Sequence, residues 1–230
     1  MRSGTVPILK TSERIPVVMN KIKTMALGLL SMATLSFGDV IAVSNLSEAN
    51  HSPNSAEGTG IELAVSFTTG NLASGYTLTA ITYIQGQSAG SGRMGIYESS
   101  AGIPSGNPLN GGDMPTSAAW TEQTIDLSGY TTTLDPNTEY FAVFKSLSSS
   151  DLISLADTAS PNETQGDSGV VGTGWNIGDK TLSRPLDGTW QDLGNYPLKI
   201  GVTVIPEPAV AGLIALFGSG FIFIHRLFRS

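Results

Sequence analysis

Ile61-Glu62-Leu63-Ala64-Val65-Ser66-Phe67 places Ile61, Leu63, Val65 and Phe67 at every second position, with Glu62, Ala64 and Ser66 between them. Alternation of period two sends successive side chains to opposite faces, so this stretch predicts a half-buried strand rather than a helix. Leu198, Ile200, Val202 and Val204 alternate in the same way with Lys199, Gly201 and Thr203, and predict a last strand that runs straight into Ile205-Pro206. Outward from these, Val40 to Leu46, Thr77 to Gln85, Arg93 to Glu98, Thr121 to Leu127, Glu139 to Lys145 and Asp151 to Leu155 predict six more strands, separated by Gly, Asn, Pro and Ser. Short strands without a helix of useful length predict an all-β domain over residues 43–205, an antiparallel β-sandwich or jelly roll. Gly102 to Pro115 is turn chemistry throughout and is expected as a long surface loop. No repeat of solenoid or propeller period is visible.

Composition narrows the function. Only 13% of the residues are charged and the net charge is −7. Between Val43 and Ile205 five Lys or Arg face sixteen Asp or Glu, a difference of −11. Such a surface repels phosphate backbones and has no basic stripe, so nucleic acid is disfavoured as a partner. The chain has no cysteine, which excludes a disulfide framework, a thiolate metal site and a cysteine nucleophile.

Both ends differ from the middle. Lys21 and Lys23 precede an apolar stretch, Met25 to Phe37, too short to cross a hydrocarbon core of about 30 Å comfortably. Residues 1–42 are therefore expected to be a signal-peptide region, with Met19 as the expected natural start. Small residues suited to signal peptidase stand at Val40 and Ala42, or at Ser36 and Gly38, which puts the mature start near Val43 or Asp39. Residues 209–224 are all apolar or small, and His225, Arg226 and Arg229 follow. At about 1.5 Å per residue this run reads as a short transmembrane helix with its arginines cytoplasmic, leaving residues 43–205 outside that membrane.

Pro206-Glu207-Pro208 stands just before the run. Two prolines around a carboxylate hold the backbone extended and block helix continuation, a form that a protease binds as a strand. Motif, apolar run and basic end, all within residues 206–230, resemble the PEP-CTERM sorting signal of Gram-negative bacteria that make extracellular polysaccharide. The resemblance implies recognition by exosortase, a multi-pass membrane protein regarded as a cysteine protease and transpeptidase. It makes Pro206, Glu207 and Pro208 recognition residues and Arg226 and Arg229 the cytoplasmic stop. The chain departs from the family's tight arginine cluster, because Leu227-Phe228 separates its two arginines.

The middle resembles the choice-of-anchor domains of bacterial surface proteins, R type especially. The likeness rests on Val43-Ser44-Asn45-Leu46, Phe67-Thr68-Thr69-Gly70, Gly75-Tyr76-Thr77-Leu78, Gly95-Ile96-Tyr97 and Leu134-Asp135-Pro136-Asn137-Thr138-Glu139-Tyr140-Phe141. It implies architecture rather than an activity, since that family has no established catalytic role.

Chemistry-bearing groups are few. Gly166-Asp167-Ser168-Gly169 copies the serine motif of trypsin-like proteases, but the exported part offers only His51 as base, in Asn50-His51-Ser52-Pro53, and a turn with local bonds is the expected reading. Acid pairs such as Glu122 with Asp126 are chance neighbours among sixteen carboxylates, and nothing singles one out for glycoside hydrolysis. Oxygens in Asp157 to Asp167 offer a structural calcium ion a candidate loop without the EF-hand spacing, so no cofactor is expected. Trp120, Trp175 and Trp190, with Tyr196, are candidate glycan contacts, because flat sugar faces stack on aromatic rings; core packing competes with that reading. The expectation is thus an exported, exosortase-sorted envelope or matrix protein with a non-catalytic structural or adhesive domain. Its expected partners are signal peptidase, exosortase, the membrane and extracellular polysaccharide. A carbohydrate-binding module is the alternative, and a glycan hydrolase the remote one.

Overall fold

A computed structural model describes residues 38–51, 56–86, 88–116, 120–160 and 162–207. The expected leader up to Phe37, with Met19, and the expected span 209–224, with Pro208, Arg226 and Arg229, lie outside the described residues. Fourteen strands are described: β1 (Val40–Ser44), β2 (Ala56–Thr59), β3 (Ile61–Thr68), β4 (Tyr76–Gln85), β5 (Gly92–Ser100), β6 (Ile103–Met114), β7 (Thr121–Asp126), β8 (Thr133–Leu134), β9 (Glu139–Ser146), β10 (Leu152–Leu155), β11 (Thr164–Gln165), β12 (Asn176–Pro185), β13 (Gln191–Asp192) and β14 (Ile200–Pro206). A single helical turn, α1 (Ser168–Val171), joins them among the described residues.

The strands form two antiparallel sheets. One runs β11-β1-β14-β4, with β8 and β7 also pairing β4 and with β10 and β2 continuing the sheet. The other runs β13-β12-β3-β9-β5-β6. All eight strands expected from alternation are present, β3 and β14 among them.

The faces explain the alternation. Leu63, Val65 and Phe67 of β3, Met94 and Ile96 of β5, and Tyr140, Ala142 and Phe144 of β9 turn inward from the six-stranded sheet. They meet Leu78, Ile81 and Tyr83 of β4 and Ile200, Val202 and Val204 of β14. The Tyr83 and Phe144 rings touch with centroids 5.0 Å apart. Each such side chain taken fully from water contributes about 1.5–3 kcal/mol before the entropy cost of ordering it.

Gly102 to Pro115, expected as a loop, is instead almost wholly strand β6. Ala101 and Gly102, both at positive φ, make the two-residue turn that folds it back onto β5. Glycine and proline misled the reading because β6 is an edge strand. Pro104 and Pro108 lack an N–H, a defect an edge tolerates where a central strand does not. Gly111 lies against the Met94 carbonyl, closer than a Cβ allows, so the strand needs glycine there. Strand β12 escaped notice for another reason: its register shifts between Ile177 and Thr181, and the bulge breaks the period of two.

Candidate functional site

The domain end that carries Pro206 and Glu207 is held firmly by hydrogen bonds. Pro206 closes β14 opposite Tyr76. The Glu207 N–H donates to the Gly75 carbonyl (3.2 Å), and the Ser74 hydroxyl donates to the Glu207 carbonyl (2.6 Å). Glu207 Oε1 accepts from Thr77 Oγ1 (3.2 Å) and Thr133 Oγ1 (3.4 Å). Tyr76, Thr77 and Thr133 stand in register because β8 pairs β4 at that corner. Pro206 thus ends the sheet, Glu207 is bonded to its rim, and Pro208 lies outside the described residues.

The three tryptophans do not form a platform. Trp175, offered as a glycan contact, is only 1% exposed. Its indole N–H donates to the Val171 carbonyl (2.9 Å), and its ring meets Tyr76 edge-on at 4.7 Å. The Tyr76 hydroxyl donates to the same carbonyl (2.8 Å). Gly70 makes room for both rings, since a Cβ there would lie 2.5 Å from the indole nitrogen. A bulky aromatic whose one polar atom is bonded inside belongs to the core, which is why this assignment fails. Trp120 is exposed and lies over Gly86 at the end of β4. Trp190 is half-buried on the outer face of the six-stranded sheet under the Arg184 guanidinium, 4.5 Å from the ring centroid. Tyr196 stacks on His51 at 3.7 Å.

The residues of the protease-like and calcium-like motifs are engaged in other contacts. Asp167 caps α1, its Oδ1 accepting from the Gly169 N–H at 2.9 Å. His51 faces Asp157, Nδ1 to Oδ1 3.9 Å, and its ring is covered by Tyr196. Glu163 Oε2 accepts from the Ile177 N–H at 2.6 Å. Among the described residues no three of His, Asp and Glu converge as a metal would need. Glu122 and Asp126 lie four apart on β7, and hydrogen bonds from Ser128 hold the Asp126 carboxyl below its ordinary pKa.

Composition alone did not reveal the outer face of the six-stranded sheet. Register aligns Arg184, Glu62, Lys145, Arg93 and Asp113 in one row across β12, β3, β9, β5 and β6. The Glu62 side chain, 1% exposed, accepts from Arg184 Nε (2.9 Å) and Nη2 (2.7 Å), and its other oxygen lies 3.0 Å from Lys145 Nζ. Arg93 pairs with Asp113 at 3.0 Å. Next to this row Gly95 floors a groove of about 250 Å³ walled by Tyr97, Pro108 and Tyr130, with Arg93 and Lys145 at its mouth. The five residues of the row are polar outward positions of ordinary alternating strands, and only the pairing register shows that they adjoin. Compared with known proteins, the chain matches no protein-family profile, no curated protein and no solved structure.

Proposed function

We propose that this chain is an exported, non-catalytic component of a Gram-negative envelope or extracellular matrix, structural or adhesive in role. A leader would export it, and exosortase would sort it at the PEP-CTERM-like tail. The observation that carries the reading is the order Pro206-Glu207-Pro208, apolar 209–224, then Arg226 and Arg229. The finer reading of the sandwich as a jelly roll of choice-of-anchor type belongs to this proposal. It is supported by the positions of the quoted phrases: Gly75-Tyr76-Thr77-Leu78 opens β4, and Leu134 to Phe141 is the turn that feeds β9.

For the leader, processing between Gly38 and Asp39 is the better site. A cut after Ala42 would remove Val40, Ile41 and the fully buried Ala42 from a strand of five residues. The test is to tag the exported domain and compare its mass and location in cells with and without exosortase. A loss of a few kilodaltons at the C-terminus only when exosortase is present is expected, with a mature N-terminus at Asp39. An uncut tail in both strains would reduce the tail to a plain anchor. A carbohydrate-binding role is the second reading, favoured by the groove between Tyr97 and Tyr130.

A further inference from the structure

We propose that the groove on the outer face of the six-stranded sheet binds an acidic saccharide, a sugar ring bearing a carboxylate. The ring would lie between Tyr97 and Tyr130, with its carboxylate toward Arg93 and Lys145. This deepens the adhesive half of the reading above by giving it a ligand, and it does not depend on how the chain is exported or sorted.

Charge placement is the first argument. The domain between Val43 and Ile205 has five cationic side chains, and three of them, Arg93, Lys145 and Arg184, fall in one register row on this face. Their side chains are 63%, 40% and 28% exposed, while the Glu62 carboxylate between two of them is 1% exposed. Glu62 lies below the surface and Asp113 beside Arg93 lies on it, so the row carries three cations against two carboxylates, a net charge of +1. An approaching ligand therefore meets positive charge here, on a molecule that is otherwise strongly acidic. A carboxylate gains from that field and a neutral sugar does not.

Shape is the second argument. Gly95 lets the Pro108 and Tyr97 side chains close in on either side of the groove, because a Cβ there would lie 3.1 Å from both. Tyr130, 52% exposed, overhangs the groove from the turn after β7, and Tyr97 stands half-buried on β5. Two phenols beside an apolar floor provide stacking surface with polar rims, which suits a ring that is flat and apolar on its faces but hydroxylated at its edge. The volume of about 250 Å³ takes a single ring rather than a long buried chain, so a polymer would be gripped residue by residue along the face.

One carboxylate opposes this ligand. Asp113, 75% exposed, pairs with Arg93 at the β6 end of the row and competes for its guanidinium. That competition gives the proposal a sign that a merely structural role would not produce.

The test is calorimetric titration of the full chain in detergent with oligogalacturonate, against neutral cello-oligosaccharide and poly-glutamate. Binding of oligogalacturonate alone is expected, weakening as salt rises. Arg93→Gln and Tyr130→Ala change exposed side chains and leave the core intact; each should weaken binding at least tenfold with an unchanged melting temperature. Asp113→Asn should tighten binding about threefold, the scale of one exposed ion pair. Equal binding of the neutral sugar, equal binding of poly-glutamate, no binding at all, or variants that bind like the parent would each overturn the proposal. None of these outcomes bears on tail processing, so failure here and failure of the sorting reading are told apart.

Discussion

Replacing Trp175 by alanine empties a site bounded by Gly70, Tyr76 and Val171, and leaves the Val171 carbonyl with one donor in place of two. Such a cavity costs about 3–5 kcal/mol, and chemical unfolding should show that loss together with a sharply lower melting temperature. Burial at Asp157 acts in the opposite direction. Desolvation pushes its carboxyl pKa above the ordinary value, against the attraction of His51, and its Oδ1 finds no hydrogen-bond partner. Between the unfolded and the raised folded pKa, the folded chain therefore keeps a proton that the unfolded chain has already released. Stability from this group is full below the unfolded value and is lost as pH rises through the raised folded one. Asp157→Asn should gain about 1 kcal/mol at neutral pH in urea unfolding, and converge with the parent below about pH 4. At Trp175 the sequence leaves core packing and glycan contact both open, because burial of an aromatic depends on what faces it across the sandwich, and the structure shows core packing. The sequence is more decisive at Asp167, whose bond to the Gly169 N–H is local and is written in the adjacent residues.

At the scale of elements, alternation located the strands whose two faces differ. β3, β9 and β14 carry apolar residues inward, and their pattern is readable without knowledge of their neighbours. β6 and β12 were not readable. In β6 the edge position relaxes the demand for side chains, so glycine and proline occupy it; in β12 the bulge breaks the period. The groove was illegible for a related reason: it is built from β5, β6, β9 and a turn after β7, and no sequence window contains them together. Gly111→Ala checks whether β6 is a true strand. An added methyl meets the Met94 carbonyl and the Gly95 Cα, both backbone, so β6 must lift from β5. Hydrogen exchange should show loss of protection along β5 and β6 with the β4–β14 pairing intact, and full protection in β6 would refute the account.

Across the whole molecule, β1 is fastened beside β14, with Val40 opposite Val204 and Ile41 opposite Thr203. The first and the last strand of the domain are therefore neighbours within one sheet. Time enters through that pairing. A chain threaded outward from its N-terminus delivers β1 long before β14, and until β14 follows, the facing edges of β1 and β4 stand unpaired. Contacts this distant in sequence are slow to close, and open strand edges invite pairing with other chains. A chain stopped at Pro197 should accordingly remain protease-sensitive and prone to aggregate, whereas one stopped at Glu207 should resist digestion; a resistant shorter chain would contradict this. On the proposed export route, the sandwich waits for its final residues. β14, which ends at Pro206, is thus the clasp that ends the vulnerable interval, and a molecule cut before β14 is seated would be released without ever having folded.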